Sequence, residues 1–403
     1  MRYLVLRKRP DAGDNPFTEM VAAGGAGGGF ELPFEASSED LRDKDAGDLL
    51  RDPNVEHLVL SIPFTLIEPL DEPSGGPMAP TAWGVEAVGA STSSQNGEGV
   101  TVAVLDTGID KDHPAFAGIT FHPEDLMDFT VNEDGVAGSA PDEQGHGTHA
   151  AGTIFGREVN GTRIGIAPGV KRVLIGKVLG PTGGPTEAVY NAVDWALRRH
   201  ADVISMSLGM DFPGLMTRLV HVEGFPEDIA FSRALEAFRS NVRLFDRLAA
   251  LVAARVDSGR GALLVAASGN QSRRSQDPRF TVATAPPAAA DGFISVGAVS
   301  KTGDASSPFT VASFSNTGCL LAAPGVSILS ASVGGGLMSK SGTSMAAPHV
   351  AGVIALWTQK RFPQQERPQG WAREVQRDVE SHVVAVPGQT RNDVGLGVVQ
   401  APR

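Results

Sequence analysis

One cysteine, Cys319, stands among 403 residues, so no disulfide can form within the chain and a disulfide-stapled secreted fold is excluded. Alone, that thiol reads as a small buried hydrophobe. Long apolar runs are missing too, and no stretch approaches the ~20 residues of a membrane helix. The run Tyr3-Leu4-Val5-Leu6 stops at Arg7, short of the roughly 7 to 15 apolar residues in the core of a signal peptide. Cytoplasmic residence is therefore expected, with export by a non-standard route left open. Basic residues are the minority: 34 Lys and Arg face 46 Asp and Glu, a formal charge of −12, and the longest basic run is Arg7-Lys8-Arg9. Nucleic acid needs a concentrated basic face, so it is excluded as a partner. The acid surplus reads as solubility.

A chain of this length accommodates one large α/β domain and a small one. Residues 1–77 read as a small α+β unit: a strand from Arg2 to Leu6, a Gly-rich loop over Gly24 to Gly29, a helical stretch from Leu41 to Leu50, and a strand from Val55 to Ile62. The string Pro73-Ser74-Gly75-Gly76-Pro77 then reads as a linker open to nicking. From residue 78 to 403, apolar runs alternate with helical periodicity. Val100 to Leu105, Arg172 to Val178, Val203 to Ser207, Ala262 to Ala266 and Phe293 to Val299 are continuous rather than alternating, as parallel strands covered on both faces are. Helices are expected at Gly147 to Phe155, Thr186 to His200, Ile229 to Asp257 and Ser344 to Thr358. The pattern predicts a doubly wound, mainly parallel α/β sheet with helices on both faces, preceded by a small α+β domain. Ligands of such sheets bind beyond the carboxyl ends of the strands, and Asp106 and Asn270 both fall just past predicted strand ends.

Three motifs carry chemistry. Ser344 lies in Gly342-Thr343-Ser344-Met345-Ala346-Ala347-Pro348-His349, which places a hydroxyl on the first turn of an apolar helix. A hydroxyl is a weak nucleophile until a base takes its proton and a third group orients that base. His146, between Gly145 and Gly147, is the candidate base; Asp106, in Val104-Leu105-Asp106-Thr107-Gly108, is the candidate orienting acid. Read singly, Ser344 is an N-cap, Asp106 a turn residue and His146 a structural histidine; read together they make a triad. HGTH is no zinc site, because its histidines are at i and i+3 without the glutamate of H-E-x-x-H. His149 is assigned to packing, and Asp110 and Asp112 to turns or the surface.

The order Asp, His, Ser along the chain is that of subtilisin, not of the α/β-hydrolases or chymotrypsin. With DTGID at 106–110, HGTHAAG at 146–152, SGN at 268–270 and GTSMAAPHVAG at 342–352, the chain resembles the subtilisin family over roughly residues 83–399. The resemblance implies a serine endopeptidase acting on extended protein or peptide substrates. It makes Asn270 an oxyanion donor and sets Ser207, Leu208 and Gly209 on one side of the substrate strand, with the loop around Gly183 on the other. Ala285 falls near the base of the first specificity pocket, which together with Gln271 implies an apolar preference there, and Pro185 replaces a glycine often found at the second edge. Residues 46–69 resemble the end of an inhibitory propeptide, so residues 1–77 are expected to act as an intramolecular inhibitor. Gly395 to Val399 resembles the stretch that closes the catalytic domain, with no further domain expected.

Two departures accompany the resemblance. Between Gly209 and Ser268 the chain is longer than the family's connection, and Phe231, Leu235, Phe238, Val242, Phe245, Leu248, Val252 and Val256 recur at helical spacing, which predicts a buried stripe. The insertion around 211–228 is a candidate lid. Calcium stabilises many relatives, but Ala115 stands where a carboxylate ligand is common, and residues 156–165 offer only Glu158 and Asn160. Calcium takes about 6 to 8 oxygens, so structural calcium fits poorly and the chemistry calls for no cofactor. A catalytically silent scaffold that binds peptides or a partner is the alternative from another class; an α/β-hydrolase esterase is disfavoured by motif order and by the lack of a G-x-S-x-G elbow.

Overall fold

The computed structural model describes residues 1–9, 32–67, 70–72, 79–132, 134–256, 259, 261–364 and 366–403. The Gly24–Gly29 loop and the 73–77 linker lie outside the described residues. Eleven strands among the described residues form one sheet, whose central run is Leu321–Pro324, Phe293–Lys301, Leu263–Ala267, Val203–Met206, Thr101–Asp106 and Arg172–Lys177, all parallel neighbours. Their alternate residues feed two cores. Val102, Val104, Val173, Ile175 and Val265 pack with Ala150, Ile154, Ala346 and Val350. Ala103, Leu105, Leu174, Ile204 and Leu264 pack with Val189, Val193, Leu244 and Leu248 on the other side. That is why the strands read as continuous apolar runs: both faces are covered. Helices His146–Phe155 and Thr343–Arg361 cover the first face; Thr186–Arg198 and Glu227–Val256 cover the second.

The N-terminal residues form a separate antiparallel sheet in which Arg2–Lys8 lies between Phe34–Asp40 and Val55–Leu60, with the short helix Asp43–Leu49 alongside. The sequence reading missed the strand Phe34–Asp40. Its sequence, FEASSED, has little β-propensity, and tertiary pairing overrides that through Arg7 on Glu39 and Arg2 on Ser38. This sheet shares the second core through Leu4, Leu6, Phe34, Ala36 and Val59. Polar contacts fasten it to the two helices beneath. Leu32 N donates to Asp194 Oδ1 (2.7 Å), Arg2 pairs with buried Glu187 (2.9 Å), and Asn241 Nδ2 donates to the Leu60 carbonyl (3.1 Å).

One expectation is corrected here. The predicted stripe on the long helix is buried only in its second half: Phe245, Leu248, Val252 and Val256 are in the core, whereas Phe231 and Leu235 are 55% and 52% exposed. In the first half the inward face is made of Ala230, Ala234 and Ala237, small residues that let the helix lie close to its neighbours. The 211–228 segment contains a helix, Phe212–His221, capped by Asp211 and buried through Leu215 and Leu219. Phe212 meets Phe238 of the long helix edge-on at 5.6 Å. Leu215 and Leu219 of this segment are buried, whereas Val222 is 77% exposed.

Candidate active site

Asp106 is the last residue of its strand and is buried. The backbone turns away at Gly108, whose φ of +112° suits glycine. Helix His146–Phe155 starts on Gly145, with φ of +77°, and its second residue has no room for a side chain. A Cβ on Gly147 would come within 2.2 Å of the Gly108 carbonyl. This approach brings His146 Nδ1 to 2.7 Å from Asp106 Oδ1. A carboxylate only accepts, so Nδ1–H donates and the neutral ring keeps Nε2 as its acceptor nitrogen. Nε2 and Asp106 Oδ2 are both buried and have no hydrogen-bond partner among the described residues.

A residue that motif reading missed stitches this pair together. Asp142 Oδ1 accepts from Thr107 Oγ1 (2.8 Å) and Gly145 N (2.8 Å), while Oδ2 accepts from Thr148 N (2.8 Å) and Thr148 Oγ1 (2.7 Å). Thr107 Oγ1 in turn accepts from Gly147 N at 2.9 Å. Burial by itself would raise the Asp142 carboxyl, but the donors from Thr148, Thr107 and Gly145 outweigh it and hold the group below the usual range. The signal was present in the sequence: an acid four residues before a Gly-His-Gly helix start is placed to bind that helix's first N–H groups.

Ser344 is the second residue of helix Thr343–Arg361, which packs against the His146 helix. Gly342 precedes it because a Cβ there would meet Asn270 Nδ2 at 2.9 Å. Asn270 is fixed through its carbonyl, which accepts from Thr343 N and Thr343 Oγ1, both at 2.9 Å. Pro348 is the sixth residue of the helix, beyond its first turn, so one helical bond is missing. The Ser344 carbonyl, left without an i+4 N–H, accepts from Ser207 Oγ at 3.0 Å instead. Ser207 thereby ties the Ser207–Gly209 edge of the site to the nucleophile's own backbone.

The Ser344 hydroxyl does not reach His146. It donates to the Ile67 carbonyl at 3.2 Å and, at 3.5 Å, to that of Ser207. Ile67 belongs to a segment that runs through the cleft as an added strand. Leu66 and Thr65 lie opposite Leu208 and Gly209 in antiparallel register. On the other side, Phe64 and Gly184 exchange both backbone bonds, 2.8 and 2.9 Å. Gly183, with φ of +95°, lies so close that a Cβ would be 2.3 Å from the Phe64 carbonyl; Pro185 is the N-cap of the following helix, and the edge donor is Gly184. Phe64 is fully buried, with its ring edge-on to Phe245 at 5.7 Å, a burial that stabilises the bound segment by about 2 to 3 kcal/mol. Beyond the hydroxyl the chain resumes as Leu70–Glu72, paired with Gly336–Ser341. Ala285 is half-buried at the entrance to the 286–290 turn, whose Pro286 carbonyl accepts from Met210 N.

The other candidates fall outside this cluster. His149 is buried and donates from Nε2 to the Ile328 and Met338 carbonyls, 2.9 and 3.1 Å. Burial first, with repulsion from Lys340 and from any proton added to His146, pushes its pKa down to about 3. Asp110 Oδ2 accepts from Gly334 N, and Asp112 pairs with Lys111 at the surface. Calcium does not fit the 156–165 loop. Glu158 and Asn160 are exposed, Ala115 has no oxygen to offer from its side chain, and two guanidinium groups take nearby carbonyls. Arg157 donates to Phe155 and Val170, and Arg163 to Ala90, Gly165 and Ile166. No helix among the described residues is long and apolar enough to cross a membrane.

Comparisons with known proteins give the family. A family model described as the subtilase family, Peptidase S8, matches residues 97–397. The intracellular serine protease of Paenibacillus polymyxa is 32% identical over 336 residues, 81% of this chain and 87% of that protein. The major intracellular serine protease of Bacillus subtilis (strain 168) is 34% identical over 267 residues, 64% and 68% of the two chains. Subtilisin-like protease 1 of Trichophyton equinum is 32% identical over 292 residues, 68% of this chain and 46% of that protein. The chain belongs to the subtilase family.

Proposed function

We propose that this protein is a serine endopeptidase that holds an extended peptide as an added strand and cleaves it through Ser344, His146 and Asp106, and that residues 1–77 are its own inhibitor. One observation carries the reading: residues 64–67 lie between the two edges of the cleft as a substrate would, with the Ile67 carbonyl at the Ser344 hydroxyl. In catalysis the hydroxyl turns from that carbonyl to the acceptor nitrogen Nε2 of His146. Ser344 Oγ then attacks the carbonyl carbon as Nε2 takes its proton, and Asp106 stabilises the resulting imidazolium through Nδ1. The oxyanion forms beside the helix N-terminus, where the Ser344 amide and the Asn270 side chain donate to it. Nε2–H protonates the departing amine, the peptide bond breaks, and water attacks the acyl-enzyme by the same route reversed.

The inhibitor is held by more than the cleft strand, because its sheet shares a core with the catalytic domain and makes polar contacts to Asp194, Glu187 and Asn241. The two bacterial relatives carry the word intracellular in their names, and we take the same compartment for this chain. The full chain, incubated with a denatured protein and followed by intact mass, is expected to be latent at first, then to release a fragment of residues 1–67 and expose Glu68 as activity appears. Full activity from an unprocessed chain would overturn the inhibitor role. Absence of any turnover, before or after removal of the N-terminal residues, would favour the silent scaffold.

A further inference from the structure

A side-chain amide serves an oxyanion only from a narrow range, about 2.7 to 3.1 Å from the oxygen on which charge develops, so the backbone that carries it must be fixed too. Thr343 secures the Asn270 turn from one side. Besides bonding Asn270 Oδ1, its Oγ1 accepts from Gly269 N at 3.0 Å. On the other side stands Asn316, fully buried, in the connection between strands Phe309–Val311 and Leu321–Pro324. Its Oδ1 accepts from Gln271 N (3.0 Å), Ser272 N (3.1 Å) and Ser272 Oγ (3.3 Å). Its Nδ2 donates to the Ser268 carbonyl (3.1 Å) and to Gln271 Oε1 (2.7 Å), with the Ala283 carbonyl at 3.4 Å. Its backbone N–H donates to the Gly269 carbonyl at 3.0 Å. One residue therefore bonds the chain immediately before and immediately after Asn270. The fit is close, because a Cβ on Gly269 would collide with the Asn316 amide. The clamp is itself anchored to the central sheet: Ser315 Oγ accepts from Ala298 N, on strand Phe293–Lys301, at 3.0 Å.

We propose that Asn316 is a positioning residue for the oxyanion hole, holding the turn from Ser268 to Ser272 so that the Asn270 amide keeps its aim. The inference rests on the peptidase reading above, in which Asn270 donates to the oxyanion. Among the described residues the Asn316 side chain bonds that turn and Ala283, and none of Ser344, His146 and Asp106, so its influence on the chemistry passes through Asn270. Removing the oxyanion asparagine of subtilisin itself costs about 10² to 10³ in kcat. An amide that is present but loosened should lose part of that, about tenfold, and the loss falls on kcat because the oxyanion exists only after attack.

The test is a double-mutant cycle on the full chain, incubated until its turnover of an internally quenched peptide Phe-Thr-Leu-Ile-Ala-Ala is constant. Asn316→Ala should lower kcat about tenfold and leave KM within about twofold. In the Asn270→Ala background the same substitution should lower kcat by less than about twofold, because residues that act as one unit are not additive. Asn316→Asp keeps the oxygen that meets Gln271 N and Ser272 N, loses the donors to Ser268 and Gln271, and should reduce kcat in the same background-dependent way; it carries the cycle if the alanine chain does not fold. No loss, a loss confined to KM, or an equal loss of kcat in both backgrounds overturns this inference and leaves the peptidase intact. An Asn270→Ala chain with unchanged kcat removes the oxyanion role on which the inference stands, and an unaltered chain that never cleaves the peptide contradicts the peptidase reading as well.

Discussion

Ser344→Ala should reduce turnover of a denatured protein or peptide substrate by about 10⁶-fold, the scale on which subtilisin itself responds to loss of its nucleophile. The size follows from what is lost. Without Oγ no acyl-enzyme forms, and the Asp106–His146 pair has no proton to move. What remains is peptide binding and oxyanion donation around water, which keeps a residual advantage of about 10³ to 10⁴ over the uncatalysed reaction. The fold should tolerate the change, since among the described residues Ser344 Oγ makes hydrogen bonds only to Ile67 and Ser207, at 3.2 and 3.5 Å, and the helix is held by Thr343 and Ser207. A thermal midpoint close to that of the unaltered chain separates loss of chemistry from loss of structure. Residual turnover within tenfold of the unaltered chain would remove Ser344 from the mechanism.

Asp106→Asn should reduce kcat by about 10⁴-fold with little change in KM. Asp106 Oδ1 accepts from both His146 Nδ1 and Thr107 N at 2.7 Å, so one oxygen serves two donors while Oδ2 has none among the described residues. An asparagine that keeps its carbonyl on those donors loses the charge that stabilises the imidazolium. One that flips presents an N–H₂ to Nδ1 and drives the proton to Nε2, where the base must be empty. Substrate binding should change little, because the hydrogen bonds described for the Asp106 carboxylate go to His146 and Thr107 and not to the cleft edges at Ser207 to Gly209 and Gly183 to Gly184. A fall confined to KM would mean that Asp106 shapes the cleft and leaves the base alone.

The central sheet was legible because a strand covered on both faces is apolar along nearly its whole length, and the runs Val102 to Leu105 and Leu263–Ala267 meet that demand in sequence alone. The motif glycines were legible for a related reason: Gly147 against Gly108 and Gly342 against Asn270 admit no side chain. What could not be read depends on partners distant in the chain. Phe34–Asp40 is a strand because Arg2–Lys8 lies beside it, not because its residues favour one. Pro63 and Pro69 mark residues 64–67 as connector, yet those residues become a strand once the catalytic edges supply the ladder. Asp142 reads as a turn aspartate until Thr107 and Thr148 converge on it, and the role of Ser207 toward Ser344 depends on the bond that Pro348 withholds.

Phosphonylation by a fluorophosphonate probe, mapped by peptide mass in the chain carried to constant activity, tests most directly whether Ser344 is activated by His146. The account predicts rapid modification of Ser344 alone, and modification slowed by orders of magnitude in His146→Ala. An active protein left unlabelled at Ser344, or labelled equally fast without the imidazole, would contradict it.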